Sequence, residues 1–125
     1  MKILAIDDSS IVRRLVASAA TAIGGECEGA DEGHAALRLL KANPEGFSLI
    51  CLDWNMPGMD GLTFLKLIRA DPRWKTLPVL MLTAMSDNAS VITAMKAGAT
   101  AYMRKPFTVV GLQAKFLDCL SLGFD

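Results

Sequence analysis

The chain has 125 residues, 52% of them hydrophobic, and its thirteen basic and thirteen acidic side chains leave no formal net charge. That length suits one domain, residues 1–125, with a substantial core. The balanced charge argues against a nucleic-acid partner, and no apolar run is long enough to place the chain in a membrane. The opening residues Met1-Lys2-Ile3-Leu4-Ala5-Ile6-Asp7-Asp8 lack the long apolar core of a secretory leader, so cytoplasm is the expected compartment. Cys27, Cys51 and Cys119 are odd in number and widely spaced, which reads as buried thiols rather than a disulfide framework or a zinc site.

Lys2 to Ile6 is a short apolar strand that stops at Asp7-Asp8. Ser9 or Ser10 is placed to cap a helix running to about Ala22, whose Ile11, Val12, Leu15, Val16, Ala19, Ala20 and Ile23 fall on one face, with Arg13 and Arg14 on the other. Gly24-Gly25 ends it, and Glu26 to Ala30 is a weak strand. Asp31 is the expected cap of a second helix reaching about Ala42, in which His34 is a surface residue. The stretch from Ser48 carries the apolar run Leu49 to Leu52, ends on Asp53, then breaks at Pro57-Gly58, and Asp60 caps a third helix that closes at Asp71-Pro72. Leu77 to Leu82 is a buried strand ending at Thr83. Ser86-Asp87-Asn88 opens a helix to about Lys96, Thr100 to Met103 is the last strand, and Thr108 caps a final helix to about Leu120. Met56, Met59, Met81, Met95 and Cys51 are expected to serve packing. Several apolar residues of the last two helices, among them Val91, Ile92, Met95, Val109 and Val110, exceed one buried stripe and point to a partner or dimer surface.

Five strands alternating with five helices specify an α/β fold: a parallel sheet with right-handed crossovers and helices on both faces. Such a sheet aligns the C-terminal ends of its strands along one edge, where ligands bind. Asp7, Asp8, Asp53, Thr83 and Lys105 all stand at such ends. Three carboxylates together need a cation, and a hard one with oxygen ligands fits, magnesium or manganese. Asp8, Asp53 and the main-chain carbonyl of Asn55 are sufficient protein ligands, with Asp7 as an outer-shell partner or one acting through water. Lys105 adds an ammonium and Thr83 a hydroxyl donor. This set suits phosphoryl transfer onto the Asp53 carboxylate, whose charge development needs a metal, a cationic side chain and hydrogen-bond donors.

The segments Asp7-Asp8-Ser9-Ser10, Asp53 to Gly61, Thr83-Ala84 and Lys105-Pro106-Phe107 resemble, in order and over essentially the whole chain, the motifs of response-regulator receiver domains. Within that family the chain is most similar to the stand-alone chemotaxis regulators, through Ser9-Ser10 before Arg13-Arg14, the Trp54-Asn55-Met56-Pro57 segment and Tyr102. The resemblance implies the flavodoxin-like strand order 2-1-3-4-5. It further implies a histidine kinase as phosphodonor, Asp53 as acceptor, Asp7 and Asp8 as the magnesium pocket, and Lys105, before a cis bond to Pro106, on the phosphoryl group. Thr83 would move toward the phosphate and Tyr102 would turn inward, changing the surface of the fourth helix, fifth strand and fifth helix for a protein target such as a flagellar motor switch. A phosphatase is a further conceivable partner, and relay of the phosphate to another histidine protein is the alternative output. The chain is then a signalling protein rather than an enzyme. Met85, two residues after Thr83 where relatives often carry a polar side chain, is expected to shield the acyl phosphate from water. A flavin-binding role needs a phosphate loop where Asp7-Asp8 stands, a phosphatase needs a cap for which there is no room, and a mute scaffold has no need of Asp53, Thr83 and Lys105.

Overall fold

The structure is a computed structural model that describes residues 1–84 and 88–122. Five parallel strands, β1 (Lys2–Ile6), β2 (Glu26–Ala30), β3 (Leu49–Asp53), β4 (Val79–Thr83) and β5 (Ala101–Arg104), form one sheet in the order β2-β1-β3-β4-β5. The helices are α1 (Ser10–Ala22), α2 (Gly33–Ala42), α3 (Gly61–Ala70), α4 (Asn88–Lys96) and α5 (Val109–Leu122). The α/β fold expected from the alternation, and the order 2-1-3-4-5 expected from the resemblance, are both present.

The sheet carries a core on each face because strand residues alternate sides. Leu4, Ile6, Ile50, Leu52, Val79 and Met81 meet α2, α3 and α4 through Ala36, Leu40, Phe64, Leu65, Ile68 and Ala94. Ile3, Ala5, Leu49, Cys51, Leu80 and Leu82 meet α1 and α5 through Val16, Ala19, Ala20, Leu112, Phe116 and Cys119. β3 and β4 are buried along their whole length, as central strands covered on both faces must be. Cys51 fills β3, Cys119 is buried on α5 and Cys27 is half-buried; all three are free thiols.

Helix starts follow side-chain acceptors. The Ser9 hydroxyl accepts from Val12 N–H, the Asp60 carboxylate from Thr63 N–H, and Thr108 Oγ1 from Gly111 N–H. The second helix departs from expectation: Glu32, not Asp31, is its cap, and its carboxylate accepts from the N–H groups of His34 and Ala35. The longer side chain can fold back over the turn, which a rule favouring short caps does not anticipate. A short 3-10 turn over Pro72–Trp74, capped by Asp71, was not expected; it buries Trp74, whose indole N–H donates to Pro44 O at 3.0 Å. His34 is exposed, as anticipated, and Met56 and Met81 are buried.

Other apolar assignments fail. Ile11 is 68% exposed rather than on the packed face of α1, and Met95, 42% exposed, does not serve packing but joins the surplus apolar residues expected on the surface. With Ile92, Val110 and Leu117, Met95 leaves α4 and α5 with an apolar outer surface. Met85, the Ser86-Asp87 start of the fourth helix and the tail Gly123-Phe124-Asp125 lie outside the described residues. No helix among the described residues is long and apolar enough to cross a membrane.

Candidate functional site

The site lies where the register brings strand ends level. Ile6 pairs with Leu52, and Asp53 with Leu82, so Asp7 follows β1 beside the end of β3. Thr83 pairs with Arg104, and Lys105 N–H donates to Thr83 O at 2.8 Å, which carries Lys105 to the same edge. Asp7, Asp53 and Thr83 are buried, whereas Asp8 and Asn55 are exposed. The peptide bond from Lys105 to Pro106 is cis, as expected.

Lys105 joins the two buried acids. Its Nζ lies 2.9 Å from Asp7 Oδ2 and 3.1 Å from Asp53 Oδ1. Burial alone would lower the Lys105 pKa, but the hydrogen bonds and charges of Asp7 and Asp53 outweigh it and hold the ammonium above its ordinary value. Burial, with the nearby Asp7 charge, pushes the Asp53 carboxyl up, and Lys105 only partly offsets this. Asp53 Oδ1 also accepts from Asn55 N–H at 3.3 Å. Asp7 is held further by Ser9 N–H on its Oδ1 at 2.9 Å and by its own N–H on Ala30 O at 3.1 Å.

Carboxylate oxygens of Asp7, Asp8 and Asp53 all lie within 4.8 Å of one another. That all-oxygen, anionic donor set fits a small hard divalent cation, and its two buried members carry a charge cost that such an ion relieves. Of the residues named from sequence, Asp7, Asp8, Asp53 and Lys105 come together, Thr83 stands at the adjoining strand end, and Asn55 lies two residues beyond Asp53. Tyr102 is apart from the acids; it is half-buried on β5 and lines, with Trp54, Met81, Thr83, Val91 and Ala94, a slot of about 10 Å³ beneath α4.

Two further residues shape this edge, although the sequence reading gives neither a role at the site. A Cβ on Gly61 would sit 2.2 Å from Asp53 O, so only glycine lets α3 start against the end of β3. Arg13 reaches back from α1 to donate from Nη1 to Asp7 O at 2.7 Å. The Asp-Gly pair was read only as a helix start, and nothing in local spacing links Arg13 to a carbonyl six residues earlier.

A doubly wound parallel sheet of this order, with acids and a lysine gathered at its C-terminal edge, defines a flavodoxin-like receiver fold. The chain belongs to the response regulator receiver domain family, whose sequence profile matches residues 3–116. It is closely related to the CheY chemotaxis regulators. It is 45% identical over 116 residues to the chemotaxis protein CheY-3 of Vibrio cholerae, covering 92% of this chain and 88% of that one. It is 40% identical over 124 residues to a chemotaxis protein CheY homolog of Campylobacter jejuni, covering 98% and 95%. Among solved structures, chemotaxis protein CheY4 of Vibrio cholerae superposes with a TM-score of 0.86 at 35% identity, over 95% of this chain and 98% of that one.

Proposed function

We propose that residues 1–125 form a single receiver domain that accepts a phosphoryl group on Asp53 from a histidine kinase and, so modified, controls a protein partner in chemotaxis signalling in the cytoplasm. The observation that carries this reading is the Lys105 ammonium bridging Asp7 and Asp53 at the strand ends. It places a fixed cation on the carboxylate that would become the nucleophile. An Asp53 oxygen attacks phosphorus, the phosphorus–nitrogen bond of the phosphohistidine breaks, and the imidazole leaves with the bonding pair. Lys105 then turns from the carboxylate to the phosphoryl oxygens, and the Thr83 hydroxyl donates to another. Asp7, Asp8, Asp53 and the Asn55 carbonyl are the residues that would hold magnesium, which when bound supplies positive charge against the equatorial phosphoryl oxygens. The protein acts as a phosphoacceptor and switch, not as a turnover enzyme.

The readout runs through Thr83 and Tyr102. Both line the slot beneath α4, and at about 10 Å³ it is too small to take a phenol ring while Thr83 keeps its place. Movement of Thr83 toward a phosphoryl group makes the room into which Tyr102 turns, so the phosphorylated state favours one packing of the α4-β5-α5 face. The exposed Ile92, Met95, Val110 and Leu117 on that side suit a protein target, such as the flagellar motor switch. Incubation with a labelled small phosphodonor and magnesium tests the central step: the unaltered chain takes up label, and Asp53→Asn takes up none. Label retained by Asp53→Asn overturns the assignment.

A further inference from the structure

Arg13 has no part in phosphoryl transfer as set out above, yet it holds the turn that carries two of the three acids. Its Nη1 donates to Asp7 O at 2.7 Å, a short charge-assisted bond. That carbonyl belongs to the peptide unit joining Asp7 to Asp8. Because the unit is planar, gripping its oxygen sets the direction in which the Asp8 Cα leaves the turn. Asp7 is anchored independently by Ala30, Ser9 and Lys105, whereas Asp8 is exposed. The arm has a path of its own: a Cβ on Gly29 of β2 would meet Arg13 Cδ at 3.1 Å, so the bare strand residue leaves room for the stem to cross.

We infer that Arg13 is a positioning residue for the divalent-cation site, aiming Asp8 at the ion through the Asp7–Asp8 peptide. The inference rests on the reading of Asp7, Asp8 and Asp53 as the cation ligands. Charge and position predict opposite signs here. A guanidinium near metal-binding carboxylates repels a divalent ion, so removing it on charge grounds alone tightens binding. Loss of the grip on the peptide weakens binding, by about ten-fold for a group that orients a ligand.

Calorimetric titration with magnesium chloride separates the two. Arg13→Gln is expected to weaken magnesium binding about ten-fold, and Arg13→Lys, which keeps a cation and a donor, to restore most of it. Magnesium affinity unchanged or tighter in Arg13→Gln overturns the inference. So does a lower melting temperature with unchanged affinity, which marks a role in folding alone. Failure of the unaltered chain to bind magnesium overturns the site reading itself, and is distinguishable because it needs no substitution.

Discussion

Asp53 is held where burial works against its charge and Lys105 only partly relieves it. Such a carboxylate has a use for any cationic or electrophilic partner that reaches it, which is the condition a phosphoacceptor requires. The backbone that carries it is closely packed. The Trp54 carbonyl accepts from Gly61 N–H at 2.9 Å, and the absent Gly61 side chain lets α3 begin directly against β3. Replacement Gly61→Ala drives a methyl into Asp53 O and is expected to destabilise the fold by about 1–3 kcal/mol. Urea unfolding measures this, and a stability equal to that of the unaltered chain contradicts the close approach. Gly58 serves the same loop differently: its φ of +77° lies in the left-handed region that favours glycine, although nothing crowds it.

At the scale of elements, helix placement depends on caps, and a carboxylate cap varies in strength with pH. The Asp60 carboxylate accepts from Thr63 N–H at 2.8 Å, and that backbone bond lowers its pKa below the ordinary 3.8. A carboxyl depressed on folding contributes stability that is fully present above 3.8 and is lost as pH falls through the lower folded value. Asp60→Ala is therefore expected to cost about 1 kcal/mol near neutral pH, with the gap to the unaltered chain narrowing once pH drops below 3.8. Denaturation at several pH values checks both the size and the direction. α3 is tied at its other end as well, where Arg69 donates to Gly98 O and Trp74 O, linking it to the turns after α4 and before β4. α4 has less to hold it: among its described side chains only Ala94 is buried. A helix so lightly packed on the sheet is the element best able to change its packing when the slot beneath it changes.

For the whole molecule, the sheet is a partition between two cores. Ile3 belongs to the core under α1 and α5, and Ile68 to the one under α2, α3 and α4. Among the described residues no buried side chain belongs to both cores, and Ile3→Val and Ile68→Val are each expected to cost about 0.5–1.5 kcal/mol. Their sum should match the double variant to within about 0.5 kcal/mol. Urea unfolding of the three variants measures the coupling, and a larger departure from additivity means the two faces communicate through the sheet. The partition also sets α4 and α5 on opposite faces of the sheet, each with apolar side chains left exposed, Ile92 and Met95 on the one and Val110 and Leu117 on the other.

Alternation of apolar runs with helical periods was enough to read strand number, parallel pairing and the edge at which Asp7, Asp53, Thr83 and Lys105 meet. Those features follow from local pattern and from the geometry of any parallel sheet. β1 was legible to the residue because an apolar run stops abruptly at two acids. The second helix was misplaced by one cap because Asp31 and Glu32 adjoin and only the folded turn shows which carboxylate reaches the free N–H groups. Ile11 is exposed and Met95 lies on the surplus apolar face rather than in the packing, because helical periodicity gives a face but not what that face meets. The Lys105 bridge, the Gly61 approach and the Arg13 grip depend on residues brought together from separate elements. Distances of a few ångströms between such groups are set by packing and register, which no local pattern of residue types encodes.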